Sequence, residues 1–224
     1  MAQKAAPVIA IDGPSASGKG TVAQQVAQRL HFHYLDSGAL YRLVGMAATR
    51  SDIATSDESR VARVAENLNA RFENGEIYLD GERVTDVLRS EAAGSAASEV
   101  AALPGVRRAL LVRQRAFRGP PGLVADGRDM GSVVFPDAVL KIYLTADAGA
   151  RLERRYKQLI GKGMDANMAA LLQDIQARDA RDSGRAIAPL QQSSDAILLD
   201  TTNLSIDDAV DEVLARYATA TSVP

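Results

Sequence analysis

The sequence contains no cysteine. Disulfides and thiolate metal sites are therefore excluded, and a reducing compartment suits the chain. There is no basic excess either: 26 Lys and Arg face 28 Asp and Glu, for a net charge of −2. No nucleic-acid partner is expected from that balance. No window approaches the ~20 apolar residues of a membrane span, and the apolar stretch before Asp12 is too short for a signal peptide. The expectation is a soluble, cytoplasmic protein with no membrane partner. Internal repeats and low-complexity linkers are missing. Lysine is scarce, with five against 21 arginines. Biased genome composition accounts for that as readily as function does, so position must decide which arginines use their planar forks on phosphates. At 224 residues the chain suits one domain, or a core with an insert, and can bury a sizeable core.

What is present begins with nine residues, Gly13, Pro14, Ser15, Ala16, Ser17, Gly18, Lys19, Gly20 and Thr21. An apolar run, Val8 to Asp12, precedes them. Val22, Val26 and Leu30 follow at helical spacing. Strand, glycine-rich turn and helix form the context in which this spacing reads as a phosphate-binding P-loop. Glycines let the backbone curl so that several N–H groups point inward, and the helix N-terminus adds partial positive charge. Lys19 then reaches the β- and γ-phosphates as a mobile point charge. The chain is expected to bind a nucleoside triphosphate through these residues. The residue after the loop lysine is usually Ser or Thr, which holds Mg²⁺; here it is Gly20, with Thr21 one step on. That Gly-Lys-Gly-Thr form resembles nucleoside monophosphate kinases, and it implies Mg²⁺ delivered with ATP and no direct protein ligand. A GTPase would carry an Asn-Lys-x-Asp guanine reader, and Thr202-Asn203-Leu204-Ser205 lacks its lysine and aspartate.

Further apolar runs, Tyr34 to Asp36, Gly122 to Asp126, Val139 to Leu144 and Ala196 to Asp200, alternate with helical stretches. This is the rhythm of a parallel α/β sheet flanked by helices. Several strands end in aspartate at the edge where open α/β sheets bind ligands; Asp200 reads better as a turn former. Residues from about 52 to 118 break the rhythm. Ser56-Asp57-Glu58-Ser59 opens a helix through Val61, Val64 and Leu68. Arg71 to Val84 then alternates around Asn74-Gly75 and Asp80-Gly81, a small antiparallel meander. Pro104 begins a helix over Val106 to Phe117. This insert is a natural lobe for a second substrate. Arg151 to Gly163 reads as a basic helix ending in glycines, and a short lid over transferring phosphates is expected at about 151–165. Ala218 to Pro224 reads as a frayed tail.

Two further segments follow strands: Asp36 to Arg42, read as a turn and then a helix start, and Asp126-Gly127-Arg128-Asp129-Met130-Gly131. Two arginines at adjacent strand ends suit one phosphate. With Ser132 to Asp137 and Arg178 to Pro189, these motifs make nearly the whole chain resemble the bacterial cytidylate kinases. The resemblance implies a single P-loop kinase domain, a monomer, whose partners are ATP with Mg²⁺ and CMP or dCMP. It implies a base reader of Asp129, Ser98 and Arg107. Cytosine offers an amine donor beside N3 and O2 acceptors, so the reader needs acceptors for the amine and a donor for N3 and O2. It implies a clamp of Arg42, Arg128 and Arg185 on the acceptor phosphate and the group in flight, with Ser37 beside the acceptor. Arg178 and Asp182 are implied as sugar readers; from spacing alone they read as an exposed i,i+4 ion pair. Lys19, Arg128 and Arg185 are the implied catalytic residues. Arg154 and Arg155 are expected to reach the donor phosphates, and Arg151 and Lys157 are not. Asp12 and Asp126 are expected near the Mg²⁺ and its waters. His31 and His33 have no partner at metal-ligand spacing and read as ordinary residues between helix and strand.

Overall fold

A computed structural model describes residues 5–73, 75–161, 163 and 165–222. Asn74 of the expected first hairpin turn, Lys162 of the expected lid and Pro224 of the expected tail lie outside the described residues. In chain order the elements are β1 (Val8–Asp12), α1 (Lys19–Leu30), β2 (His33–Asp36), α2 (Ser37–Arg50) and α3 (Glu58–Glu66). The short strands β3 (Ala70–Glu73), β4 (Glu76–Leu79) and β5 (Glu82–Arg83) follow, then α4 (Glu91–Val100) and α5 (Pro104–Arg115). The chain continues through β6 (Leu123–Gly127), β7 (Leu140–Thr145), α6 (Ala148–Ile160), α7 (Met168–Ser183), β8 (Ile197–Asp200) and α8 (Ile206–Ser222). They form two compact units: one runs up to Asp36 and resumes at Arg115, and the other is Ser37–Gln114.

In the first unit, five strands among the described residues form a parallel sheet in the order β2-β6-β1-β7-β8. Parallel sheets are covered on both faces, which is why β1 and β6 read as continuous runs and are buried at every residue. Helix α1 contributes Val22, Ala23, Val26 and Ala27 to the core, and α8 contributes Ala209, Val210 and Val213. Each fully buried Val, Ile or Leu stabilises the fold by about 1.5–3 kcal/mol. Helix α1 ends at His31, in the left-handed region at φ 55°, whose N–H donates to Ala27 and Gln28 carbonyls. His33 is already the first residue of β2, with Nε2 2.9 Å from the Pro120 carbonyl. The expected frayed tail is instead the end of α8, which continues to Ser222. Its Tyr217 packs edge-on against Phe32, with ring centroids 5.8 Å apart. Tyr217 is partly buried by this contact, and Ala218 to Ser222 continue the helix with their side chains exposed.

The second unit is built on α2, which buries Leu40, Leu43, Val44 and Ala48. The turn expected at Asp36-Ser37-Gly38 is absent: β2 passes directly into α2 at Ser37. Helix α3 starts at the expected place, with the Asp57 carboxylate accepting the Arg60 N–H at 3.1 Å. The meander pairs β3 with β4 and β4 with β5, both antiparallel. Leu79 faces Glu82 across a two-residue loop whose Asp80 and Gly81 both have positive φ, 51° and 86°. That combination is what a right-twisted two-residue hairpin requires, and Asp-Gly supplies it. Helix α5 begins at Pro104, and the Glu58 carboxylate takes the Gly105 N–H at 2.7 Å. It closes at Arg115, two residues short of Phe117.

Candidate active site

The loop after β1 curls through two left-handed residues, Ala16 at φ 58° and Gly18 at φ 91°. Gly18 is the cap of α1 and carries no side-chain cap bond. Alternating handedness turns successive N–H groups toward one side, which is the geometry of an anion cradle. Gly13 is needed for closeness: a Cβ there would lie 2.0 Å from the Leu144 carbonyl oxygen. Ser17 Oγ is buried, with no hydrogen-bond partner among the described residues. The Lys19 ammonium, also buried, donates to the Pro14 carbonyl at 3.1 Å. Burial, then the nearby Arg128 cation, push its pKa down to about 7, against the pull of Asp126, Asp182 and Asp36. Anionic phosphate oxygens beside it would restore the ammonium.

Beyond the ends of β1 and β6 the charges interlock. Arg128 donates through Nε to Asp182 Oδ2 at 2.6 Å, and through its two terminal nitrogens to the Gly127 carbonyl and Ser15 Oγ, both at 3.1 Å. Asp182 also pairs with Arg185. Burial works against the Asp182 carboxylate, but Arg128 and Arg185 hold it below the usual range. Arg178 pairs with Asp174 one turn back at 2.8 Å. Spacing alone made Arg178 and Asp182 a surface pair; both are buried. Asp126 lies beside Asp36 in strand register. Burial, then the Asp36 charge, raise it to about 6, although Tyr34 donates its hydroxyl to Oδ2 at 2.5 Å.

Asp12, expected near the Mg²⁺ and its waters, supports the backbone that follows β6. Its Oδ1 accepts the Met130 N–H at 2.8 Å and its Oδ2 the Gly131 N–H at 2.9 Å. Both amides open a single π-helical turn, Met130–Val134, headed by the buried Asp129. Burial raises Asp12 to about 7 despite these two bonds.

Helix α6 also differs from its sequence reading. It starts three residues earlier than Arg151, capped by Asp147. Arg151 lies on the loop: it donates to the Ser15 carbonyl at 3.1 Å and to Asp179 Oδ2 at 2.6 Å. Asp179 Oδ1 in turn accepts the Ser15 N–H at 3.4 Å. Arg154 is also at the loop, donating to the Ser17 carbonyl at 3.1 Å and to Thr201 Oγ1 at 3.0 Å. Arg155 bonds Gln158 on its own helix, and Lys157 bonds Glu153. Arg151 and Arg154 are one turn apart on the same face, which was the available signal for Arg151. Asp179 and Thr201 carried no signal of their own.

The second unit holds the remaining expected residues. Ser37 is buried at the first turn of α2, with Arg42 partly buried one turn on. Ser98 is buried on α4. Arg107, buried on α5, donates to the Ala101 carbonyl at 3.2 Å and lies over the Tyr41 ring at 5.8 Å. Ser98 and Arg107 are buried polar side chains of this unit, as are Thr85 and Gln114.

Comparison with known proteins agrees with this chemistry. A solved gluconokinase from Sinorhizobium meliloti shares the fold, at TM-score 0.51 and 14% identity, over 97% of this chain and 94% of its own. The cytidylate kinase of Chromobacterium violaceum is 62% identical over 94% of this chain and 95% of its own length. Those of Bordetella pertussis and Nitrosomonas europaea are 58% and 56% identical, over 94% and 98% of this chain and 94% and 99% of theirs. The family model described as cytidylate kinase matches residues 9–219. A likeness this deep, running through the phosphate loop, the turn at Arg128 and Asp129 and the arginines around Asp182, makes the chain a member of the cytidylate kinase family.

Proposed function

We propose that this protein transfers the γ-phosphoryl group of ATP to CMP or dCMP, giving ADP and CDP or dCDP. The observation that carries the reading is the cluster of Lys19, Arg128, Asp182 and Arg185 beside the phosphate loop. An acceptor phosphate is already ionised at neutral pH, so its oxygen attacks in line without a strong general base. The work left to the protein is positioning and neutralising charge on the three equatorial oxygens. Gly13 to Thr21 hold the donor phosphates, with Arg154 and Arg155 above them. Lys19, Arg128 and Arg185 supply positive charge to the group in flight, and Ser37 and Arg42 hold the acceptor phosphate. Arg178 and Asp182 read the sugar. Asp129, Ser98 and Arg107 read cytosine, and uracil would leave their buried polar groups mispaired.

Mg²⁺ bound with ATP would neutralise charge on its phosphates. Among the described residues no group of three His, Asp or Glu side chains is placed to hold a metal alone. The adjacent carboxylates of Asp36 and Asp126 suit a hydrated cation, since the Asp36 charge raises the cost of ionising Asp126. The segment at about 151–165 closes over the phosphates, and the insert at about 52–118 brings in the nucleotide. The protein acts as a cytoplasmic monomer, independent of membrane or nucleic acid.

A coupled ADP-release assay with ATP-Mg²⁺ and CMP, dCMP, UMP, AMP, GMP and dTMP tests this. Strong turnover with both cytidylates and weak turnover with UMP is expected. Preference for another acceptor would overturn the base reader, and no turnover at all would overturn the kinase. Asp129→Ala should lower turnover of CMP more than that of UMP; equal losses would remove Asp129 from the reader.

A further inference from the structure

Asp12 ends β1 immediately before the phosphate loop, yet its side chain serves the neighbouring strand's turn. The register sets Asp12 against Gly127 of β6, so the segment Arg128 to Gly131 starts directly beside it. The turn that follows closes with i to i+5 bonds: the Val134 N–H donates to the Asp129 carbonyl at 3.1 Å and the Phe135 N–H to the Met130 carbonyl at 2.7 Å. Its first amides have no acceptor inside the turn. Asp12 takes two of them, one on each oxygen, in a buried setting. The loop backbone next to Asp12 has separate supports in Arg151, Arg154 and Asp179.

From this division, and resting on the reading of Asp129 as a cytosine contact, we infer that Asp12 is a positioning residue for the nucleotide acceptor. It fixes the Asp129 to Gly131 backbone and so aims Arg128 and Asp129, while contributing little to ATP binding. Asparagine keeps one acceptor but points an NH₂ donor at the second amide, leaving that amide mispaired in a buried place.

The test is steady-state kinetics of the full chain, with KM measured separately for CMP, UMP and ATP-Mg²⁺. Asp12→Asn is expected to raise the KM for CMP about tenfold or more and to erode the preference for CMP over UMP. The KM for ATP should stay within about twofold. A merely structural residue would move neither base preference nor one KM selectively. Gly131→Ala disturbs the same turn without touching Asp12, because its Cβ would press on the Lys141 side chain at 3.1 Å. It should give the same pattern, and it carries the test if Asp12→Asn does not fold. An ATP KM that rises alongside that of CMP, or an unchanged CMP KM in the variant that folds, overturns the proposal. Absence of cytidylate turnover in the unsubstituted protein overturns the parent reading, and this one with it, before any variant is measured.

Discussion

The two units of this protein bury charge in different ways. In the sheet unit, Asp12, Lys19, Asp126, Asp129, Arg178 and Asp182 are all buried, and three of them sit near pKa 7, 7 and 6. In Ser37–Gln114, Arg107 is the one buried charged side chain among the described residues. The rest of that unit's ions lie at its surface, as in Arg50 with Glu82 and Arg83 with Glu76 and Asp86. The difference follows the chemistry proposed for each. Stabilising a transferring phosphoryl group takes dense, pre-set charge, held in place at a cost in folding stability. Distinguishing bases takes a few polar groups in an otherwise apolar setting.

Four substitutions would break or sharpen that contrast. The largest effect is expected for Lys19→Met, which should lower kcat by about 10³-fold while stabilising the unliganded protein. The lowered pKa of Lys19 means that the folded state binds fewer protons than the unfolded chain between pH 7 and 10.5. The wild type therefore gains stability as pH rises through that window. At pH 7 the variant should melt ~4–8 °C higher, for about 2 kcal/mol, and the gap should narrow towards pH 10. A melting temperature that falls at both pH values would mean that Lys19 is not strained by its surroundings. Next, Leu79→Ala in the meander should destabilise the second unit by about 3 kcal/mol. Hydrogen exchange would show the loss in Ser37–Gln114 with the sheet amides still protected; uniform loss would make the two units one cooperative body. Arg151→Ala should raise the KM for ATP about tenfold and leave that for CMP unchanged, the reverse of the Asp12 pattern. The smallest effect is expected for Arg83→Gln, whose exposed pairs are screened by water. Its melting curve should overlay that of the wild type, and a clear drop would show that surface ions hold the second unit together.

Legibility in the sequence divides along physical lines. The course of β1, the loop and α1 was readable because apolar periodicity, glycines and a lysine coincide within a short window. The Asp80-Gly81 turn was readable because few dipeptides tolerate two positive φ values. The start of α6 was not, since Ala148-Gly149-Ala150 has no apolar period and its cap at Asp147 looks like any loop aspartate. Ser98 looked like an ordinary helix residue, and only burial marks it. The bonds of Arg151 and Asp12 were not readable for one reason: their partners, Asp179 and the Met130 and Gly131 amides, are distant in sequence. Pairing across strands and helices is set by the fold, and a local pattern does not record it.

The grip of α6 on the phosphate loop has a consequence for how this sequence can change. Arg151 and Arg154 hold the loop by the carbonyl oxygens of Ser15 and Ser17, and Thr201 adds a second donor to Ser17 at 3.4 Å. A carbonyl is the same whichever amino acid carries it. Position 17 can therefore exchange its small side chain, Ser for Ala for instance, and keep its anchorage. Over generations the loop can drift there under selection for phosphate handling alone, with its shape inherited from arginines more than 130 residues away.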